Sequence, residues 1–144
     1  LPANIMQNPN AISINSTTQI DLQGQAASES DGNRHLTGTG GQLQFVRGSY
    51  ASPGGKSFLC LPSTYDKRGE PKSRIVFNQT PGNIVTTPRS DTMYVVTEYG
   101  IVNLKGKSVP ERARALISVA HPQFREGLEK QAREAGMLPK GLSF

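Results

Sequence analysis

Tyr94-Val95-Val96-Thr97-Glu98-Tyr99-Gly100 is the stretch that decides the fold. Consecutive β-branched and aromatic residues make Tyr94 to Thr97 a strand, its apolar run suggests the interior of a sheet, and Glu98-Tyr99-Gly100 ends it. Working upstream, Ser57 to Leu61 reads as a second strand stopped by Pro62. Arg74-Ile75-Val76-Phe77 is a third, after a polar stretch from Tyr65 to Ser73, and Ile84-Val85-Thr86-Thr87 a fourth, cut by Pro88. Ala11-Ile12-Ser13-Ile14 alternates apolar and polar residues and predicts a strand that runs on through Thr18 into Gln19-Ile20-Asp21-Leu22, where Gly24 closes it. Ala26 to Leu36 has the Ser, Gly, Asn and Asp content of a loop.

Downstream the period changes. Ser108-Val109-Pro110-Glu111 has the form of a capping box, and Ala113, Leu116, Ile117 and Ala120 then share one helix face. His121-Pro122 separates this helix from another, Gln123 to Ala135, with Phe124, Leu128 and Ala132 as its buried stripe and Gly136 as its stop. Strands followed by two terminal helices predict an α/β domain: an open mixed sheet flanked by helices.

At 144 residues the chain is read as a single domain, 1–144. Its mean hydropathy of −0.45, 15 Gly and 10 Pro describe a loop-rich unit with surface available to a neighbour. No apolar run approaches the roughly 18 residues that span a bilayer, and the first residues lack the pattern of a signal peptide, so the expectation is a soluble, cytoplasmic protein without membrane partners. The single cysteine, Cys60, lies in an apolar run and is expected to pack as a small hydrophobe; His35 and His121 have no partner at metal-ligand spacing, so no metal is expected. A net charge of +5 is spread among acidic residues: either a solvated helix face around Lys105, Lys107, Arg112 and Arg114, or an attraction for an anionic small molecule or nucleic acid.

Gly38-Thr39-Gly40-Gly41-Gln42, running into Leu43-Gln44-Phe45-Val46-Arg47, places three glycines at the start of a short helix that ends near Pro53-Gly54-Gly55. Such a junction is either a tight turn or a cradle whose unpaired helix amides face an anion or oxyanion. Glu98, at the end of a strand, and Thr18, following another, fall where open α/β sheets gather ligands; a carboxylate there either pairs with a nearby arginine or serves a reacting acyl carbon.

These segments, together with Ile12-Ser13-Ile14-Asn15-Ser16, Gly54-Gly55-Lys56-Ser57, Leu61-Pro62-Ser63-Thr64, Thr86-Thr87-Pro88-Arg89-Ser90-Asp91 and Asn103-Leu104-Lys105-Gly106-Lys107, resemble in unbroken order the carboxy-terminal domain of the acetyl-CoA hydrolase/transferase family, which includes acetate, succinyl and 4-hydroxybutyrate CoA-transferases. The resemblance implies ping-pong transfer of coenzyme A between an acyl-CoA and a short carboxylic acid through a glutamyl-CoA thioester. It also implies that the nucleophilic glutamate belongs to an amino-terminal domain preceding this one, that coenzyme A is a substrate rather than a bound cofactor, and that the assembly is a homodimer. Carried across by motif, Gly41 supplies an oxyanion amide, Gly38 and Gly40 shape the turn, Thr18 lies near coenzyme A, and Glu98 is the auxiliary carboxylate. Gln44 stands where the family motif has Asp, and Pro53 where many relatives have Lys; Lys56 is the candidate replacement cation. Two other readings stand beside this one: an acyl-CoA hydrolase on the same architecture, and a non-catalytic phosphate- or RNA-binding module, which the scarcity of aromatic platforms disfavours.

Overall fold

The structure, a computed structural model, describes residues 1–38 and 40–139. Helix α1 (Pro2–Met6) leads to β1 (Ile12–Ser16), β2 (Gln19–Asp21) and three two-residue strands, β3 (Ala26–Ala27), β4 (Ser30–Asp31) and β5 (Arg34–His35). Helix α2 (Gln42–Ala51) enters β6 (Lys56–Cys60), followed by β7 (Thr64–Lys67), β8 (Glu70–Ser73) and β9 (Ile75–Val76). The last part comprises β10 (Tyr94–Thr97), β11 (Gly100–Asn103), α3 (Val109–Val119) and α4 (Pro122–Glu134).

The main sheet has the order β1-β6-β10-β11. Strand β6 pairs in parallel with β1 on one side and β10 on the other, aligning Asn15, Leu59 and Val95 in one row and Ser16, Cys60 and Val96 in the next; β11 returns antiparallel. The sheet is thus mixed, as expected, with β10 internal. A smaller sheet, β3-β2-β9, and the hairpins β4-β5 and β7-β8 complete the strands.

The helices cover one face of the main sheet. Leu59 and Val95 pack with Val46 of α2 and with Ala113, Leu116 and Val119 of α3, all buried, while Leu128 and Ala132 attach α4 to the same core. The side chains of Ile12, Ile14 and Ile101 point the other way and are 64%, 71% and 60% exposed. Polar Ser13 and Ser57, opposite each other in register, are turned inward. Strand β1 therefore carries its apolar positions on the face that the described residues leave open.

Several expectations are corrected. The single strand predicted from Ala11 to Leu22 is two strands in different sheets: at the break, Thr17 donates its backbone N–H to Cys60 O and its hydroxyl to Ala27 O, bending the chain out of the first sheet. Ala26 to Leu36 forms short strands rather than a loop throughout. The polar stretch from Tyr65 to Ser73 contains the β7-β8 hairpin, whose two-residue turn has positive φ at both Arg68 (52°) and Gly69 (83°), the geometry that matches strand twist. Ile84 to Thr87 is not a strand: its backbone-to-backbone bonds reach only Ala26, through one isolated bridge at Thr87, while Ile84 N and the Thr86 hydroxyl turn to the side chains of Ser30 and Glu29. Cys60 is half-buried rather than a core residue.

The helix boundaries follow the sequence closely. Ser108 and Glu111 form the reciprocal capping box, His121 caps α4 by accepting the Gln123 amide at Nδ1, and Gly136 takes φ +75° beyond its end.

Gly55, between α2 and β6, has an ordinary φ but no room. An added β-carbon would lie 2.0 Å from Ser49 O and 2.7 Å from Ser52 Cβ. Gly55→Ala is expected to force α2 and β6 apart and lower stability by about 2–3 kcal/mol, read as a shift of the urea unfolding midpoint without a change in slope.

Candidate active site

Because β1, β6 and β10 run in parallel, their carboxyl ends reach one rim of the sheet. There, Ser16, Cys60, Pro62, Val96, Thr97 and Glu98 line a crevice of about 430 Å³. In open α/β sheets, ligands bind outside the carboxyl ends of the parallel strands.

Glu98 is exposed at this rim and held by the chain that leaves β6: its Oε1 accepts the Ser63 amide at 2.7 Å. Partial desolvation works against its charge, but that amide, its own backbone N–H, the Ser63 hydroxyl and the His121 imidazole together outweigh the cost and hold the carboxyl below its ordinary value of 4.5. Ser63 Oγ is buried without a partner at full hydrogen-bond geometry, so its pull is the weaker one and the amide bond is the anchor. The stabilisation this gives is complete above the ordinary carboxyl range and is lost as pH falls through the lowered value. At neutral pH, Glu98 is an anion with one oxygen engaged. Tyr99, beside it, packs edge-on against His121 at 5.5 Å and under the Arg125 guanidinium.

The glycine turn reaches the same rim through its neighbour. Gln42, the first residue of α2 and only 8% exposed, donates Nε2 to Ser16 O at 2.9 Å and accepts the Thr87 hydroxyl at 3.0 Å. It also bonds the Ser28 hydroxyl. This tethers the start of α2 to the carboxyl end of β1. Gly40 takes φ +59°, a conformation that L side chains rarely adopt. Gly41 is the N-cap residue at φ −101°, with no side-chain cap, and its carbonyl accepts the first helical bond from Phe45 N, so the amides of Gln42, Leu43 and Gln44 precede the ladder. No acidic residue occupies the first turn. A β-carbon at Gly41 would touch only the Phe45 ring, at 3.2 Å, and that ring is 52% exposed. A β-carbon at Gly38 would meet nothing within 4 Å among the described residues, and Thr39 lies outside them.

Thr18 lies two residues beyond Ser16, in a separate cleft of about 210 Å³ lined in part by Ser30, Leu36, Tyr65 and Arg74. Its hydroxyl and its amide are both committed to Ala27 O, at 2.7 and 2.9 Å, so it presents no free donor. Arg74 donates to Thr18 O at 3.0 Å and lies over the Tyr65 ring. Lys56 is not brought to this rim: it pairs with Ile12 at the amino end of β6, four residues before Cys60. Lys105, by contrast, sits 4.2 Å from the centre of the Tyr50 ring, and Arg112 donates to Lys107 O and Gln23 O, so part of the basic cluster is structural.

Sequence reasoning missed three contributors. Gln42 was legible only as a polar residue at a helix start, Arg74 as the opening of a strand, and Ser63 as the residue after a proline. Each matters through a partner far away in the chain. Among the described residues, no group of three or more His, Cys, Asp or Glu could hold a metal, and no helix is long and apolar enough to cross a membrane.

With this geometry in place, the comparisons are direct. The acetyl-CoA hydrolase/transferase C-terminal domain matches residues 1–132. A probable butyrate:acetyl-CoA coenzyme A-transferase of Syntrophomonas wolfei is 52% identical over 129 residues, 90% of this chain and 29% of that protein. The 4-hydroxybutyrate coenzyme A transferase of Clostridium kluyveri is 49% identical over 133 residues, 92% of this chain and 30% of that protein. Among solved structures, RipA from Yersinia pestis superposes with a TM-score of 0.84 at 48% identity, covering 95% of this chain and 30% of its own. The chain spans less than a third of the length of these relatives. It belongs to the acetyl-CoA hydrolase/transferase family, and it corresponds to that family's C-terminal domain.

Proposed function

We propose that this chain is the coenzyme A-facing, carboxy-terminal part of a longer CoA-transferase, inactive alone, that moves coenzyme A from an acyl-CoA to a short carboxylic acid. The observation that carries the reading is the convergence on one rim of an anionic Glu98 and, through Gln42, of a glycine-led helix start. In this reading residues 1–144 form one domain, and the amino-terminal part supplies the nucleophilic glutamate. That carboxylate attacks the acyl carbonyl to give a mixed anhydride and release coenzyme A thiolate, which returns to the glutamyl carbonyl, expels the first carboxylate and leaves the glutamyl thioester. The acceptor carboxylate then reverses these steps. Coenzyme A enters and leaves as substrate, no cofactor is permanently bound, and the enzyme works as a cytoplasmic homodimer.

Each addition to a carbonyl builds negative charge on oxygen. The Gly41 amide, with the free amides and positive dipole end of α2 behind it, supplies preorganised donors worth on the order of 3 kcal/mol each. Gly38 and Gly40 give the turn its path, and the backbone at Thr18 borders the coenzyme. Lys56, set apart from the rim, is assigned to the distal part of this long ligand. Glu98 acts as the auxiliary carboxylate, orienting the reacting groups through a charge held in place by Ser63.

Transfer is favoured over hydrolysis by the names of the similar relatives described above. In the complete enzyme, acyl-CoA consumption is expected to depend on added acetate, with the acyl group recovered as free acid and coenzyme A as acetyl-CoA; equal consumption without acetate would instead identify a hydrolase.

In the same enzyme Glu98→Ala is expected to lower kcat roughly 10²-fold with little change in KM for acyl-CoA, and the loss should persist across neutral pH because the carboxyl is already ionised there. Unaltered turnover would remove Glu98 from the mechanism.

Gly41→Val displaces Phe45 and fills the space before the amide. Its expected signature is a fall in kcat of about 10²-fold or more with unchanged far-ultraviolet circular dichroism; retention of normal rates would exclude the oxyanion role.

A further inference from the structure

The three parallel strands of the main sheet have helices on one face and nothing on the other among the described residues. Parallel sheets occur almost only with both faces covered, whereas a strand face that lives in water carries polar side chains. Here the pattern is inverted. The open face presents Ile12 and Ile14 from β1, the stacked pair Phe58 and Tyr94 with ring centres 4.9 Å apart, Val96, and Ile101 from β11. Its one charged residue among the paired positions is Lys56, at the amino end. Strand β1 is also an edge strand, and an exposed apolar edge invites uncontrolled pairing unless something covers it.

The length of the relatives identifies the cover. More than two thirds of each lies outside the match, and the matching domain is the family's C-terminal one, so most of the remaining polypeptide precedes it. We infer that the preceding part of the same polypeptide packs an apolar, helical layer against the Ile12, Ile14, Phe58, Tyr94 and Ile101 face. This rests on the reading of the chain as part of a longer protein. The face runs directly into Ser16, Cys60 and Val96, which line the Glu98 crevice. The same layer therefore roofs that crevice and brings the preceding segment to its mouth, coupling assembly of the sheet to completion of the site.

The test uses the longer protein with its native reactive cysteines replaced and one cysteine introduced at a time: Ile14→Cys, Ile101→Cys, and Ser90→Cys as an exposed control. Maleimide labelling is expected to be at least about 100-fold slower at 14 and 101 than at 90, the protection given when exposure requires the layer to open, and to become equal in urea. Labelling at the control rate by a variant whose thermal unfolding matches the parent would overturn the inference. So would protection that disappears on dilution, which assigns the face to a second copy. Carbene footprinting of the unsubstituted longer protein reads the same residues without substitution: modified Ile14 and Ile101 in the native state would be equally fatal. Neither readout requires turnover, so a covered face in a protein lacking transferase activity, or the converse, separates this inference from the functional reading.

Discussion

The parallel pairing of β6 between β1 and β10 is the constraint on which the rest depends. It aligns Ser16, Cys60 and Val96, and so brings three strand ends that are distant in sequence to a single rim. The crevice, the approach of the glycine turn and the anchoring of Glu98 by Ser63 all follow from that alignment. A one-residue slip of β6 would exchange Leu59 for Phe58 on the core face and turn the rim residues over, because side chains alternate along a strand. Buried Leu59, packed against Val46 and Leu116, holds the register.

The rim is polar in a particular way. Glu98 remains exposed and its charge is supported chiefly by a main-chain amide, so the group is fixed in position without being neutralised by an arginine. Gln42 solves a different problem. A helix start that must leave its own amides free cannot use them to hold itself in place, and a buried neutral amide bonded to Ser16, Ser28 and Thr87 holds it instead, without adding a charge that would compete with an anionic ligand. Glu98 is held by a main-chain amide, whereas Gln42 works through its own side chain, bonded to one backbone carbonyl and two hydroxyls.

Where reading the sequence succeeded, the determining interactions were local. The capping box at Ser108 and Glu111 joins residues three apart, the strand at Tyr94 follows from its own side chains, and the positive φ at Gly40 reflects a glycine that tolerates it. Where it failed, the deciding partner was remote. Ile84 to Thr87 has strand composition, yet Thr86 is drawn to Glu29, 57 residues away. The polar Tyr65 to Ser73 stretch has no hydrophobic alternation, yet its Arg68-Gly69 turn closes a hairpin. The positions of the candidate residues divide in the same way: Gly41 at a helix start and Glu98 at a strand end were legible, while the bonds of Gln42 and Ser63 and the displacement of Lys56 from the rim were not.

The sequence by itself determined the fold class, the limits of the two terminal helices, the glycine turn and the family, because propensity, capping and motif order are written in neighbouring residues; it did not show the short helix α1. Only the tertiary structure decided which strands are neighbours, that Gln42 ties the start of α2 to Ser16 at the end of β1, and that β1 turns its isoleucines away from the core. A period of two tells that a strand has two faces. Which face is buried depends on what packs against it, and that is set by residues distant in the chain.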